Sequence, residues 1–149
     1  QQYGIEVVIA RLARVVGADR KLDTKAMSQF MDKALAGEDI VLKSKGNQKF
    51  SYCYVADAAS GIFKVLFDGV IGEAYNVSDD DEGITLGGYA EFMAELAGKN
   101  VVYQIEDDAA ASRASFALLD TTKLKKIGWE PLYTVSDGLR RTYKIKKSW

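Results

Sequence analysis

Tyr143 and Lys147 stand four residues apart, a Tyr-x-x-x-Lys spacing that on a helix sets a phenol beside an ammonium able to lower its pKa and support proton transfer. The pair lies in a lysine-rich C-terminal segment with no glycine-rich nucleotide loop before it, so the spacing reads as a coincidence. Arg11 and Arg14 follow an apolar run, at what would be the carboxyl end of a strand, and could pair bidentately with a phosphate or carboxylate. They could equally bridge to an acidic loop; Arg14, further into the loop, is the better ligand candidate. Asp79, Asp80, Asp81 and Glu82 could hold a hard cation, but no EF-hand pattern surrounds them and a solvated loop is expected.

Several chemistries are closed by composition. There is no histidine and one cysteine, Cys53, which removes Ser-His-Asp and Cys-His catalysis, histidine zinc sites and a Cys₄ centre. A single thiol inside an apolar stretch is usually a small buried hydrophobe, and it cannot form an internal disulfide, which fits a reducing, cytoplasmic setting. No G-x-G-x-x-G or G-x-x-G-x-x-G run occurs, so the chain cannot build a dinucleotide site alone. A net charge of −1 argues against a broad grip on nucleic acid. The basic tail Arg140, Arg141, Lys144, Lys146 and Lys147 therefore reads as a solvated helix face. No apolar run reaches the length of a membrane span, and no signal-peptide series is present.

The elements that must position these residues follow from hydrophobic period. The 149 residues suit one domain, able to bury about 70% of its unfolded surface. Ile5 to Ala10 is an apolar, β-branched run expected as a strand covered on both faces, as in a parallel sheet. It comes almost at once, with no initiator methionine and no earlier element to cover it, which implies a fragment whose preceding part held most of the sheet. Met27, Phe30, Met31, Ala34 and Leu35 share one helical face, with Asp23 or Thr24 as N-cap. Ile40 to Leu42 suits a short strand. Gly46 to Asp57 (GNQKFSYCYVAD) alternates aromatics at Phe50, Tyr52 and Tyr54 and predicts the strand around which the chain is arranged, handing into a helix at about Asp57. Its tyrosines suit packing more than ligand contact.

A helix follows to Asp68, with Ala58, Ala59, Ile62, Val65 and Leu66 expected inward, then a strand at Ala74 to Val77. Thr85 is placed to cap a helix whose inward face is Leu86, Tyr89, Ala90, Met93, Leu96 and Ala97. Val101 to Ile105 suits a strand, and Glu106 to Ser115 has no clear period. Asp120 can cap a short helix through Lys126, and Thr134 with Asp137 resembles a capping box for a last helix to about Lys147. Gly37, Gly69, Gly98 and Gly128 fall where helices should end.

Taken in order, Tyr3 to Gly17 (YGIEVVIARLARVVG), Gly46 to Asp57, Gly72 to Asp79 (GEAYNVSD), Ile84 to Leu86, Leu119 to Pro131 (LDTTKLKKIGWEP) and Asp137 to Thr142 (DGLRRT) resemble the C-terminal half of the extended short-chain dehydrogenase/reductase family. That family holds nucleotide-sugar epimerases, dehydratases and decarboxylases. The resemblance implies an α/β fold, the C-terminal portion of a Rossmann-type enzyme: the last sheet strands plus a small mixed α/β substrate-binding lobe. It implies that a Rossmann domain carrying NAD or NADP and the catalytic Tyr-x-x-x-Lys pair precedes Gln1, that the parent can be a homodimer, and that this fragment by itself binds no cofactor and is inactive. The substrate-binding positions it points to are Arg14, Lys43, Phe50 and Arg113. Arg14 stands where the family carries an asparagine near the sugar diphosphate, Lys43 where an aromatic commonly stacks on the base, and Phe50 where an arginine commonly grips the diphosphate. Val16 and Ala18 replace two residues of the family's Tyr-Gly-Pro. Either Arg14 and Arg113 compensate or the substrate differs. The competing reading is a stand-alone, non-catalytic sugar-nucleotide-binding or interaction module.

Overall fold

The computed structural model describes residues 4–19, 25–79, 83–105 and 116–149. In chain order the elements are β1 (Ile9–Leu12), β2 (Arg14–Val16), α1 (Ala26–Ala36), β3 (Ile40–Leu42), β4 (Lys49–Phe50), β5 (Tyr52–Tyr54) and α2 (Val55–Asp68). They continue as β6 (Ala74–Val77), β7 (Ile84–Thr85), α3 (Leu86–Ala97), β8 (Val101–Tyr103), β9 (Phe116–Ala117), α4 (Thr122–Lys126) and α5 (Val135–Lys147).

The first two strands are one extended stretch that changes partner midway. β1 pairs in parallel with β6, Leu12 opposite Val77, and β2 pairs in parallel with β5, Arg14 opposite Tyr52. The change falls on Ala13, whose N–H donates to Val77 O at 3.0 Å while the next N–H, from Arg14, donates to Ser51 O at 3.2 Å. A strand that switches neighbours opens a crevice at its carboxyl end, as at the switch points of doubly wound sheets. β3 pairs in parallel with β8, and β4 lies between antiparallel β7 and parallel β9.

β5 is the spine. Because successive strand side chains point to opposite faces, Tyr52 enters one core with Phe30, Met31, Leu42, Tyr89 and Leu139, and Cys53 enters a second with Ala58, Val65, Tyr75, Val77 and Trp129. Helix α1 buries Phe30, Met31 and Ala34, the expected face. Its N-cap is Lys25, and the expected caps Asp23 and Thr24 lie outside the described residues. Thr85 caps α3 by accepting from Gly88 N–H at 2.9 Å. Thr134 caps α5 by accepting from Asp137 N–H, but the Asp137 carboxylate takes the Thr134 hydroxyl at 2.8 Å rather than its backbone amide, so the box is half formed. Asp120 accepts from Thr122 N–H at 2.8 Å at the start of α4.

Four expectations need correction. The strand foreseen at Ile5 to Ala10 begins at Ile9, and only one of its faces is covered: Val8 and Ala10 pack on the second core, while Ile5 is 64% and Val7 51% exposed. β-branching sets the extended preference, but covering the other face needs a layer that the described residues do not provide. On α2 the buried stripe is Asp57, Ala58, Gly61 and Val65, while Ala59, Ile62 and Leu66 are exposed, because this helix has two apolar faces and period alone does not rank them. Gly69 ends α2 in extended backbone (φ −72°, ψ 142°), unlike the left-handed Gly37 and Gly98. Asp79, first of the acidic run, is buried and donates its N–H to Tyr52 O at 2.9 Å rather than lying in a solvated loop; residues 80–82 lie outside the described residues.

Candidate functional site

Arg14 occupies the point where the leading strand turns from β6 to β5. Its backbone is fixed by the parallel register with Tyr52, and its side chain is exposed, with the guanidinium carbon 3.6 Å from the centroid of the Phe50 ring. Phe50 itself is buried, so the ring is a fixed platform under a cation that would otherwise sample many rotamers.

Two cavities meet at this residue. The larger, about 460 Å³, lies past the carboxyl end of β2 and is lined by Arg14, Val16 and Asp19, by Lys25, Met27, Ser28 and Met31 at the start of α1, by Tyr89 of α3, and by Thr142 and Lys146 of α5. The smaller, about 240 Å³, is lined by Leu12, Ala13, Arg14, Ser51, Ala117 and Leu119. Arg14 is common to both. Among the described lining residues, the cations Arg14, Lys25 and Lys146 stand against the carboxylate of Asp19, which makes the larger cavity suited to an anion. Lys146 is partly held by Asp32 at 3.4 Å.

The two phenols beside the site, Tyr52 and Tyr89, hold their protons tightly. Burial pushes the Tyr52 phenol up to about 12, with the Arg14 charge pulling the other way, and burial also raises Tyr89 well above the ordinary phenol range. Both stay protonated at neutral pH. The Tyr52 hydroxyl is buried with no hydrogen-bond partner among the described residues.

Of the residues foreseen from sequence, Arg14 and Phe50 are brought into contact. Lys43 follows β3, is exposed, and lines neither of these cavities; Arg113 lies outside the described residues. Tyr143 is buried in the first core with the Lys147 ammonium 5.4 Å from its ring centroid, a packing arrangement. In the basic tail, Arg140 and Arg141 lie over the rings of Phe92 and Tyr133. Sequence reasoning missed Tyr89, Thr142 and Lys146 as cavity walls. Tyr89 is expected as core and Lys146 as solvated face, Thr142 enters only as part of the DGLRRT stretch, and only the convergence of α1, α3 and α5 on β2 puts them together.

A profile of the NAD dependent epimerase/dehydratase family matches residues 1–78, more than half of the 149. The chain belongs to this family. It is 31% identical over 145 residues to UDP-glucuronic acid decarboxylase 5 of Arabidopsis thaliana, covering 93% of this chain and 40% of that protein. The UDP-glucose 4-epimerase of Thermotoga maritima, solved with UDP-glucose, superposes with a TM-score of 0.83 at 24% identity over 99% of this chain and 48% of that one. The dTDP-glucose 4,6-dehydratase of Bacillus anthracis, solved with NAD, superposes with a TM-score of 0.83 at 24% identity over 99% of this chain and 46% of that one. The fold is therefore the Rossmann-type epimerase/dehydratase fold in part, and the chain spans less than half the length of these relatives.

The starts of α2 and α3 do not offer a site for the family's dinucleotide. A pyrophosphate needs free amides at a helix N-terminus reached through a glycine-rich turn. At α3 those amides are taken: Leu86 N–H donates to Gln48 O, Gly87 N–H to Gly46 O and Gly88 N–H to Thr85 Oγ1, each at 2.9 Å. At α2 the strand runs into the helix at Tyr54 and Val55 with no glycine between. Among the described residues no group of three His, Cys, Asp or Glu could hold a metal, and no helix is long and apolar enough to cross a membrane.

Proposed function

We propose that this chain is the substrate-binding portion of a nucleotide-sugar epimerase, dehydratase or decarboxylase, with Arg14 holding the diphosphate of the sugar nucleotide. The observation that carries the reading is Arg14 itself, fixed over Phe50 and common to two adjoining cavities at the carboxyl end of a strand. The family's arginine at the position of Phe50 is absent, and Arg14 of β2 brings a cation over that ring instead. The ligands of relatives, UDP-glucose and UDP-glucuronic acid among them, support this class of ligand. Lys43 and Arg113 are proposed as further contacts to the nucleotide end.

NAD or NADP would sit in a dinucleotide-binding part outside these residues, in a parent that could be a homodimer in the cytoplasm. This chain's own role is to bind and orient the substrate, converting remote binding energy into position at the reacting carbon. The chain alone is expected to turn over no substrate, and turnover of UDP-glucose by the purified chain with NAD added would refute that. A stand-alone sugar-nucleotide-binding module is the second reading, favoured by the loss of the family arginine at Phe50.

Isothermal titration with UDP-glucose, UDP-glucuronic acid and dTDP-glucose tests the site. A charge-assisted contact is worth about 1.5–3 kcal/mol. Arg14→Ala should therefore weaken binding by about tenfold to over a hundredfold. Equal affinity of wild type and Arg14→Ala for all three ligands would sink the assignment.

A further inference from the structure

Lys146 stands on helix α5 where an apolar residue would be expected. The buried face of the helix includes Leu139, Thr142 and Tyr143, and Lys146 follows them at i+7, i+4 and i+3, so it continues that stripe. Its side chain is 15% exposed, and the residue forms part of the wall of the larger cavity. The rest of the basic tail differs: Arg140, Arg141, Lys144 and Lys147 are exposed. A lysine on an inward stripe covers its stem and must find a polar outlet for its ammonium.

The outlet it has is a loose one. Lys146 Nζ donates to Asp32 Oδ1 at 3.4 Å, and the Asp32 side chain is 40% exposed. A charge-assisted bond is normally about 2.7–2.9 Å long. An ion pair open to water is worth at most about fivefold in an equilibrium constant. An ammonium carries three donors, and among the described residues Asp32 is the hydrogen-bond acceptor that Lys146 has. Asp32 itself stands outside the cavity wall, so the ammonium lies between an acid on one side and, on the other, a space that it shares with Arg14 and Lys25. Like charges around one space repel, and an oxyanion placed among them removes that repulsion.

We infer that Lys146 is a second cation for the diphosphate held by Arg14, reached from α5, and that Asp32 is its resting partner: as the diphosphate enters the larger cavity, the ammonium leaves Asp32 and bonds a phosphoryl oxygen. The inference deepens the sugar-nucleotide reading above and rests on it for the identity of the ligand. The family resemblance points to no ligand on α5; this one comes from the packing of α5 against α1 and β2. Ligand and Asp32 compete for one ammonium, so removing Asp32 and removing Lys146 act in opposite directions on binding. An ion pair that only braced the fold would give both changes the same sign.

The test is isothermal titration with pyrophosphate, with UDP-glucose alongside and circular dichroism to check the folding of each variant. Lys146→Gln should weaken pyrophosphate binding about tenfold, and Lys146→Arg, which keeps the charge, should bind nearly as the wild type does. Asp32→Asn, at a side chain open to water, should tighten binding about twofold to fivefold. Loss of affinity in Asp32→Asn, indifference to Lys146→Gln, or a wild-type chain that binds no pyrophosphate would overturn the assignment. Pyrophosphate bound with the expected series but UDP-glucose not bound would leave Lys146 its anion and defeat only the sugar-nucleotide reading.

Discussion

The guanidinium carbon of Arg14 lies 3.6 Å from the centroid of the Phe50 ring, although the two residues belong to different strands. A cation over an aromatic face gains about 0.5–1 kcal/mol at an exposed site. Phe50→Leu keeps an apolar side chain in the core but removes that face, leaving Arg14 free to wander. Affinity for UDP-glucose should fall by about twofold to fivefold, a smaller loss than for Arg14→Ala in the same titration. Unchanged affinity would mean that Arg14 finds its position without the ring.

Asp57 is buried at 0% exposure, and each carboxylate oxygen accepts a backbone amide, Leu132 N–H at 2.9 Å and Tyr133 N–H at 3.0 Å. The carboxylate thus ties the start of α2 to the turn before α5, the helix that supplies Thr142 and Lys146 to the larger cavity. Asp57→Asn keeps the shape but sets an NH₂ donor against a donor. The cost should be about 2–4 kcal/mol. For a chain of this size that lowers Tm by about 4–16 °C, readable in a thermal melt.

How much of this was legible in sequence depends on whether a feature is local. The aromatic alternation through Tyr52 and Tyr54 predicts the central strand, because period 2 is a property of the strand itself, whereas the second core on the Cys53 side is visible only in the fold. The caps at Thr85 and Thr134 were legible for the same reason. Helix α2 was not: with apolar residues on two faces, its pattern identifies a helix but does not say that Gly61 and Val65 face the core while Ile62 and Leu66 face out. The Arg14–Phe50 contact and the walls of the larger cavity arise from strand register and helix convergence, which no local pattern encodes. Family resemblance supplied Arg14 and Phe50 as positions, and only the fold placed one over the other.

Gly61 sits where α2 crosses β6. A methyl group there would run into Val77 Cγ1 and come within 3.3 Å of the Trp129 ring. Alanine gains about 1 kcal/mol in helix propensity over glycine, while overpacking a tight core costs about 1–3 kcal/mol. With backbone-close Val77 as the obstacle the steric cost should win, leaving Gly61→Ala destabilised by roughly 1–2 kcal/mol in urea unfolding. Adding Val77→Ala should recover part of the loss, a coupling expected only of neighbours in contact; purely additive losses would place the strain elsewhere.

Cys53 is fully buried, and burial, reinforced by the nearby carboxylates of Asp57 and Asp79, raises its thiol from 9.0 to about 12. Tyr52 behind it is raised from 10.0 to about 12 by the same desolvation. In both cases the folded state holds its proton to higher pH than the unfolded state does. The stabilisation is therefore whole below the unfolded pKa of each group and is lost as pH climbs from about 9 toward 12. With no histidine in the chain, the profile near neutrality should be flat. Cys53→Ala should shift the onset of alkaline loss upward, toward the range where the buried phenols Tyr52 and Tyr89 respond, as followed by Tm against pH. The same burial predicts that a thiol reagent near pH 8 labels Cys53 only after denaturation; rapid labelling of the folded chain would contradict the packing described for this strand.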